Sequence, residues 1–328
     1  MTISSLSHLL NGFKDKRALV VGDLMLDEYI FGRAVRISQE APVMVVRQES
    51  TRAVPGGAAN VAANMVAMGA KATLVGVIGS DDAGRQLASA LAEGGISTSG
   101  LVQDSGRITT RKTRIVANHS HQVLRIDHED LDPVSQVTED TLMEQFIAEA
   151  APSDVVLISD YLKGGVTKAM ISKIIAHAKE INLPVVANPK PQSLKSYRGA
   201  TLISLNRYEA STAAGREEPM LDSDAEGIAA ELRASLGVEN LVITLGASGM
   251  AVSTASGQFS VPAVRVEVYD EAGAGDTVIA TVALGVACGS VTPALFRLAA
   301  QTAGCVVQRV GVATPTAEDL EMIRSIPL

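Results

Sequence analysis

Tryptophan is absent from the 328 residues, and aromatic side chains make up only 3% of them. An interior without large rings must be filled by Val, Ala, Leu and Ile, a composition that suits parallel strands covered by Ala-rich helices. Basic residues are also short: 28 Lys and Arg stand against 36 Asp and Glu, for a net charge of −8 and a pI near 5.2. This excludes a general nucleic-acid binder with a basic face, and an anionic substrate would need a local basic pocket. Cys288 and Cys305 are the two cysteines. They lie in Ala/Val-rich helical segments without metal-ligand or redox spacing, as buried reduced thiols do. The opening MTISSLSHLLNGFKDKR has no apolar h-region before a small-residue cleavage site, and no later run reaches the length of a membrane span, so a cytoplasmic protein is expected. Three nucleotide and hydrolase signatures are missing as well. There is no G-x-x-x-x-G-K-[ST], no G-x-G-x-x-G after the first strand, and Leu245-Gly-Ala-Ser248-Gly249 lacks the spacing of a G-x-S-x-G elbow.

What is present is a rhythm of strands and helices. Residues 18–22 form an apolar β-run ending in Gly22, with Asp23 and Asp27 just beyond it, where open α/β sheets place their ligands. Two stretches near 29–50 and a polar hairpin near 108–128 alternate apolar and polar residues, the pattern of half-exposed strands in a small flap outside the main sheet. Elsewhere helices are predicted at 57–68, 82–94, 138–150, 166–180 and 223–236, and strands at 72–78, 154–159, 184–188, 201–205 and 240–245. Residues 248–268 read as short strands with polar turns, and helices at about 274–288, 292–309 and 316–325 close the chain. Strands alternating with helices predict a mostly parallel sheet with right-handed crossovers. No repeat or linker divides residues 1–328, so one α/β domain with a strand-built lid is expected.

The densest chemical signal is Asp270-Glu-Ala-Gly273-Ala274-Gly275-Asp276, directly before a long Ala/Val-rich helix. Glycines there let backbone N–H groups turn toward a ligand, and the helix start adds about half a positive charge. A carboxylate at Asp276 could take a proton from an attacking hydroxyl while the amides hold the charge on a transferring phosphoryl group, or it could merely cap the helix. A second cluster, Gly56-Gly57-Ala-Ala-Asn60, opens another helix. Its small residues permit close approach of a polar ligand, and the Asn60 amide can both donate to and accept from sugar hydroxyls, although plain helix packing explains the glycines equally well. His119, His121 and His128 lie in the polar hairpin; an H-x-H pair can bind metal, but exposed loop histidines are commoner.

The two glycine-rich stretches, over 200 residues apart, resemble the N- and C-terminal signatures of the PfkB carbohydrate kinases. The resemblance spans the chain from Gly22-Asp23 to the last helices. It implies a ribokinase-like three-layer α/β/α sandwich with a mostly parallel sheet and a small β-sheet lid, ATP as phosphoryl donor, and Mg²⁺ at the phosphates. Asp276 would be the base, and the Ala274, Gly275 and Asp276 amides the anion hole. Asn206 and Glu209 are similar to the family's N-x-x-E motif, which organises Mg²⁺ and its waters. Thr244, Gly246 and Gly249 resemble its nucleotide-binding turn, placing adenine near Val306 and Gln308. Glu271 departs from the signature where the family's pattern puts a monovalent cation, near Asp270.

One branch is closer still. Asp23, Asp27, the phrase from Gly32 to Val43, Ser159-Asp160-Tyr161-x-Lys163-Gly164 and Asn188-Pro189-Lys190 resemble the D-glycero-β-D-manno-heptose-7-phosphate kinases of lipopolysaccharide core synthesis. That likeness implies phosphorylation of the anomeric O1, with Lys190 beside the catalytic groups and Asp160 beside the sugar. Gln39, Asn188 and Pro191 depart from the branch's phrases. Carboxylates at Asp23 and Asp27 suit a polyol, and Lys112, Arg114 and Lys163 are the candidate cations for a substrate phosphate. A kinase of another sugar phosphate and a non-catalytic sugar-binding regulator are the alternatives. A strand lid with apolar edges also predicts a homodimer.

Overall fold

The computed structural model describes residues 6–118 and 121–326. The chain begins with α1 (Leu6–Phe13) and β1 (Arg17–Gly22), then runs through β2 (Leu24–Ile37), β3 (Met44–Gly57), α2 (Ala58–Ala67), β4 (Lys71–Gly79), α3 (Asp82–Glu93) and β5 (Ser97–Asp104). There follow β6 (Thr110–Ala117), β7 (His121–His128), α4 (Gln136–Ala150), β8 (Val155–Ser159), α5 (Lys168–Glu180), β9 (Val185–Asn188), β10 (Leu202–Asn206) and α6 (Arg207–Ala213). The remainder is α7 (Ala225–Leu236), β11 (Asn240–Thr244), β12 (Met250–Thr254), β13 (Gly257–Val261), α8 (Ala274–Ala287), α9 (Pro293–Val306) and α10 (Ala317–Arg324).

Nine strands form the main sheet in the order β13-β12-β11-β10-β9-β8-β1-β4-β5. From β5 to β11 every pairing is parallel, and β12 and β13 add an antiparallel edge. Alternation along β1 explains the layering. Ala18 and Val20 enter the core beneath α2, α8 and α9, whereas Leu19 and Val21 enter the one beneath α4, α5 and α7. Strands buried on both faces read as continuous apolar runs, which is why β1, β8 and β11 are legible in the sequence. This is the ribokinase-like α/β fold that the signatures implied.

The smaller sheet has the order β3-β2-β6-β7, with β2 parallel to β6 and the outer pairs antiparallel. It joins the segments near 29–50 and 108–128, although β2 starts at Leu24 and β3 continues to Gly57, well beyond the predicted limits. Register puts Asp27 opposite Lys112 and Tyr29 opposite Arg114 on one face. The other face carries Ile30 and Ile115, with Leu124 and Ile126 each 51% exposed.

Three elements escaped the sequence reading: β5, α1 and the seven-residue α6 after the Asn206 cap. β5 is a polar edge strand, STSGLVQD, in which only Gly100 is buried. α1 buries Leu6, Leu9, Leu10 and Phe13 but spans only eight residues. His119 lies outside the described residues.

Candidate active site

Helix α8 starts at a turn that only glycine adopts comfortably: Gly273 has φ 83° and is the N-cap. Ala274, Gly275 and Asp276 therefore form the first turn, where backbone N–H groups have no partner within the helix; of the three, Ala274 N donates to the Glu271 carbonyl at 3.2 Å instead of standing open. Asp276 is only 7% exposed, and each of its oxygens takes a hydrogen bond. Tyr161 donates its phenol to Oδ1 at 2.6 Å, and Asn60 donates Nδ2 to Oδ2 at 2.8 Å. Burial pushes this carboxyl up to about 6, while the Tyr161 and Asn60 donors hold it down against that rise; Asp27 raises it further and Lys190 lowers it.

Asn60 is positioned by α2, whose N-cap Gly57 has φ 58°. Asn64 donates Nδ2 to the Asn60 carbonyl at 2.9 Å and to Oδ1 at 3.2 Å, and Thr277 donates Oγ1 to Asn64 Oδ1 at 2.8 Å. The two signature stretches are thus stitched together by side chains. Gly56 is pressed on Asp27: a Cβ there would come within 2.0 Å of Asp27 Oδ2.

The sequence marks Tyr161 only as part of the phrase Ser159-Asp160-Tyr161. The single local hint is its place just after β8, at the carboxyl end of a central parallel strand. The loop carrying it is fixed by two buried carboxylates. Asp23 accepts from the backbone N–H groups of Tyr161 (2.8 Å), Lys163 (3.0 Å) and Gly165 (2.9 Å). Asp160 accepts from Leu162 N at 2.9 Å and from the Ser193 and Tyr197 hydroxyls. Leu162 is thereby held at φ 54°, a strained conformation for a side chain of its size. Asp23 and Asp160, expected at the sugar, spend these bonds on the loop that aims Tyr161. Desolvation raises the Asp23 carboxyl despite its three amide donors.

Lys190 Nζ lies 2.5 Å from Glu209 Oε1 and 5.1 Å from the centre of the Tyr161 ring. Glu209 also closes a capping box with Asn206: Asn206 Oδ1 accepts from Glu209 N, and Glu209 Oε2 accepts from Asn206 N, both at 2.8 Å. Asn188 Oδ1, two residues before Lys190, is buried without a donor. An oxygen-rich trio of Asn188, Asn206 and Glu209 fits a hydrated hard cation. Among the described residues no group of three or more His, Cys, Asp or Glu could hold a metal directly.

Thr244 ends β11, and Gly246 (φ 61°) and Gly249 (φ 97°) make the turn after it; a Cβ on Gly249 would strike the Val261 carbonyl at 2.0 Å. Val306, at the end of α9, is buried, and Gln308 donates Nε2 to Gly304 O at 2.8 Å. The three candidate cations all meet carboxylates. Lys112 lies 3.0 Å from Asp127 and 3.3 Å from Glu129, Lys163 lies 2.8 Å from Glu129, and Arg114 is paired with Asp27. Both cysteines are free thiols, Cys305 buried and Cys288 half-buried.

The profile of the pfkB family carbohydrate kinases matches residues 15–319. The bifunctional protein HldE of Caulobacter vibrioides is 42% identical over 318 residues, covering 96% of this chain and 65% of that protein. Its namesake from Pelobacter propionicus is 40% identical over 331 residues, covering 100% and 67%. The chain thus spans about two thirds of the length of these curated relatives. Among solved structures, phosphofructokinase-2 from Escherichia coli in complex with potassium superimposes with a TM-score of 0.81 at 18% identity, covering 95% of this chain and 98% of that one. Arabidopsis thaliana ribokinase complexed with ribose and ATP gives 0.75 at 18% identity, covering 95% and 99%. With its two glycine-rich stretches joined through Asn60 and Asp276, and the family profile matched over nearly its whole length, the chain belongs to the pfkB family of carbohydrate kinases.

Proposed function

We propose that residues 1–328 act as one kinase domain that transfers the γ-phosphoryl group of ATP to the anomeric O1 of D-glycero-β-D-manno-heptose 7-phosphate. The product would be the 1,7-bisphosphate, in ADP-heptose and lipopolysaccharide core synthesis. The observation that carries the reading is Asp276: a buried carboxylate titrating at about 6, at the first turn of a helix that begins with a left-handed glycine. A base with that value is ionised at neutral pH and still basic enough to draw a proton from a sugar hydroxyl. Tyr161 and Asn60 donate to its two oxygens and fix its orientation, so that O1 is deprotonated as it attacks in line. The Gly275 and Asp276 amides and the helix start face the charge gathering on the phosphoryl oxygens, and the Ala274 amide joins them by releasing the Glu271 carbonyl.

The heptose substrate rests on the branch phrases and on the likeness to the HldE proteins. Lys112, Arg114 and Lys163 line the smaller sheet and the loop beside it, and a substrate phosphate would exchange with the Asp127, Glu129 and Asp27 carboxylates they now face. Bound with ATP, Mg²⁺ would neutralise phosphate charge, and Asn206, Glu209 and the unpaired Asn188 oxygen would hold it through its waters. The adenine would lie by the Thr244–Gly249 turn and Val306. The smaller sheet serves as a lid that excludes water from the transfer, and its apolar outer face, with Leu124 and Ile126, pairs two copies into a homodimer.

An ADP-release screen over heptose 7-phosphate and the common hexose phosphates tests this directly. Heptose 7-phosphate should give the highest kcat/KM. A hexose phosphate ranking first would replace the substrate, and sugar binding without any turnover would replace the kinase by a sugar-binding regulator.

A further inference from the structure

The face of the smaller sheet that carries Tyr29 also holds Arg52, opposite it on β3. Arg52 donates Nη2 to the Val310 carbonyl at 3.0 Å, and its guanidinium lies 5.4 Å from the centre of the Tyr29 ring and 5.9 Å from that of Phe31. Val312 N donates to Tyr29 Oη at 2.9 Å. From the other side, Gly311 N donates to Asp270 Oδ2 at 2.8 Å, and Ala272 N fills Asp270 Oδ1 at 2.9 Å. The segment 310–312 is therefore clamped between the smaller sheet and the loop that leads into the anion hole. The clamp is tight: Gly311 has φ 79°, and a Cβ on it would come within 2.7 Å of Arg52 Nη2 and 2.9 Å of the Tyr29 ring. Val312 in turn lies beside Gly273, where a Cβ would meet its Cγ1 at 3.5 Å.

This is the place, near Asp270, where a monovalent cation was expected from the family resemblance. Such an ion needs several carbonyl and carboxylate oxygens converging on one point. Both Asp270 oxygens here accept amide hydrogens, and the Val310 oxygen accepts an arginine. We propose that Arg52 is a built-in cation for the anion-hole loop, standing in for a monovalent ion, so that the enzyme needs no added potassium. A guanidinium remains charged at every working pH, and its planar fork and aromatic backing keep it in place. It is a positioning residue: through residues 310–312 it holds Gly273 and the amides that follow.

The turnover arm of the test rests on the kinase reading, whereas the melting arm does not. Wild-type turnover and melting temperature should agree between potassium chloride and choline chloride at equal ionic strength. Arg52→Ala should lose about tenfold in kcat, the size of one charge-assisted hydrogen bond. Either guanidinium or potassium ions should restore part of that loss, and Arg52→Lys should fall less than Arg52→Ala. A wild-type enzyme more than about threefold faster in potassium than in choline, or melting higher in it, would overturn the proposal. So would an Arg52→Ala protein as active as the wild type, or one whose loss neither ion reverses. If no sugar phosphate is turned over, the kinase reading fails, and melting in the two salts still decides the role of Arg52.

Discussion

Replacing Tyr161 by Phe removes one oxygen from the site and leaves the ring beneath Lys190 in place. In the wild type that oxygen donates to Asp276 at 2.6 Å and holds the carboxyl down at about 6 against burial. Hydrogen bonds to charged groups are worth roughly 1.5–3 kcal/mol, and one pH unit corresponds to about 1.4 kcal/mol. Without the phenol, the carboxyl should rise by about one to two pH units. The base acts ionised, so kcat/KM falls as pH drops through its titration; in the variant that fall should begin between about pH 7 and 8 rather than near 6. The phenol itself stays protonated across this range, because burial and the Asp276 charge push its own pKa well above the ordinary value. A coupled ADP-release assay from pH 5 to 9 on both proteins reads the shift, with most activity returning at the alkaline end. An acid limb that stays where it was, or moves down, would refute the assignment of Asp276 as the titrating base.

Asp276→Asn should lower kcat by about 10² to 10⁴ while leaving nucleotide affinity, followed by calorimetry, largely intact. The same substitution should also remove a pH dependence of stability. Asp276 is raised from 3.8 to about 6, so its ionisation destabilises the native state progressively between those values and by a constant amount above them. Urea unfolding should show the wild type losing up to about 3 kcal/mol of stability between about pH 4 and pH 7.5, a loss missing from the variant. Gly273→Ala forces a left-handed alanine whose Cβ would stand 3.0 Å from Asn60 Nδ2; a loss of about 1–3 kcal/mol in urea should accompany a drop in kcat. The unsubstituted protein should sediment as the proposed homodimer, and Leu124→Lys with Ile126→Lys as a monomer with unchanged far-ultraviolet circular dichroism; a monomeric unsubstituted protein would refute the pairing.

The sequence revealed those parts of the fold that local patterning dictates. β1, β8, β10 and β11 are apolar over most of their length because both faces are covered, and α8 is legible from the glycines before it. β5 was lost because an edge strand needs no apolar run, and α1 because eight residues carry too few turns for a periodic signal. At the site, Asp276 and Asn60 were found by their glycine contexts. Their mutual bond was not, since it joins residues 216 apart. Tyr161 was invisible for the same reason: its role exists only once Asp23 and Asp160 have bent the loop toward α8. The partners of Lys112, Lys163 and Arg114 likewise depend on strand register, which the residue types alone do not specify.

Only Asp23 separates β1 in the main sheet from β2 in the smaller one, and its carboxylate is bolted to the loop of Tyr161. Any swing of the smaller sheet thus pivots next to the loop that carries Tyr161. With 14 residues in β2, the lever arm is roughly 45 Å at about 3.3 Å per residue, and a rotation of about 5° sweeps its far end through some 4 Å. Atoms at the fulcrum barely move. A rotation of that size would part Arg52 and Tyr29 from residues 310–312, so the far end of the sheet and the loop before Gly273 would loosen together.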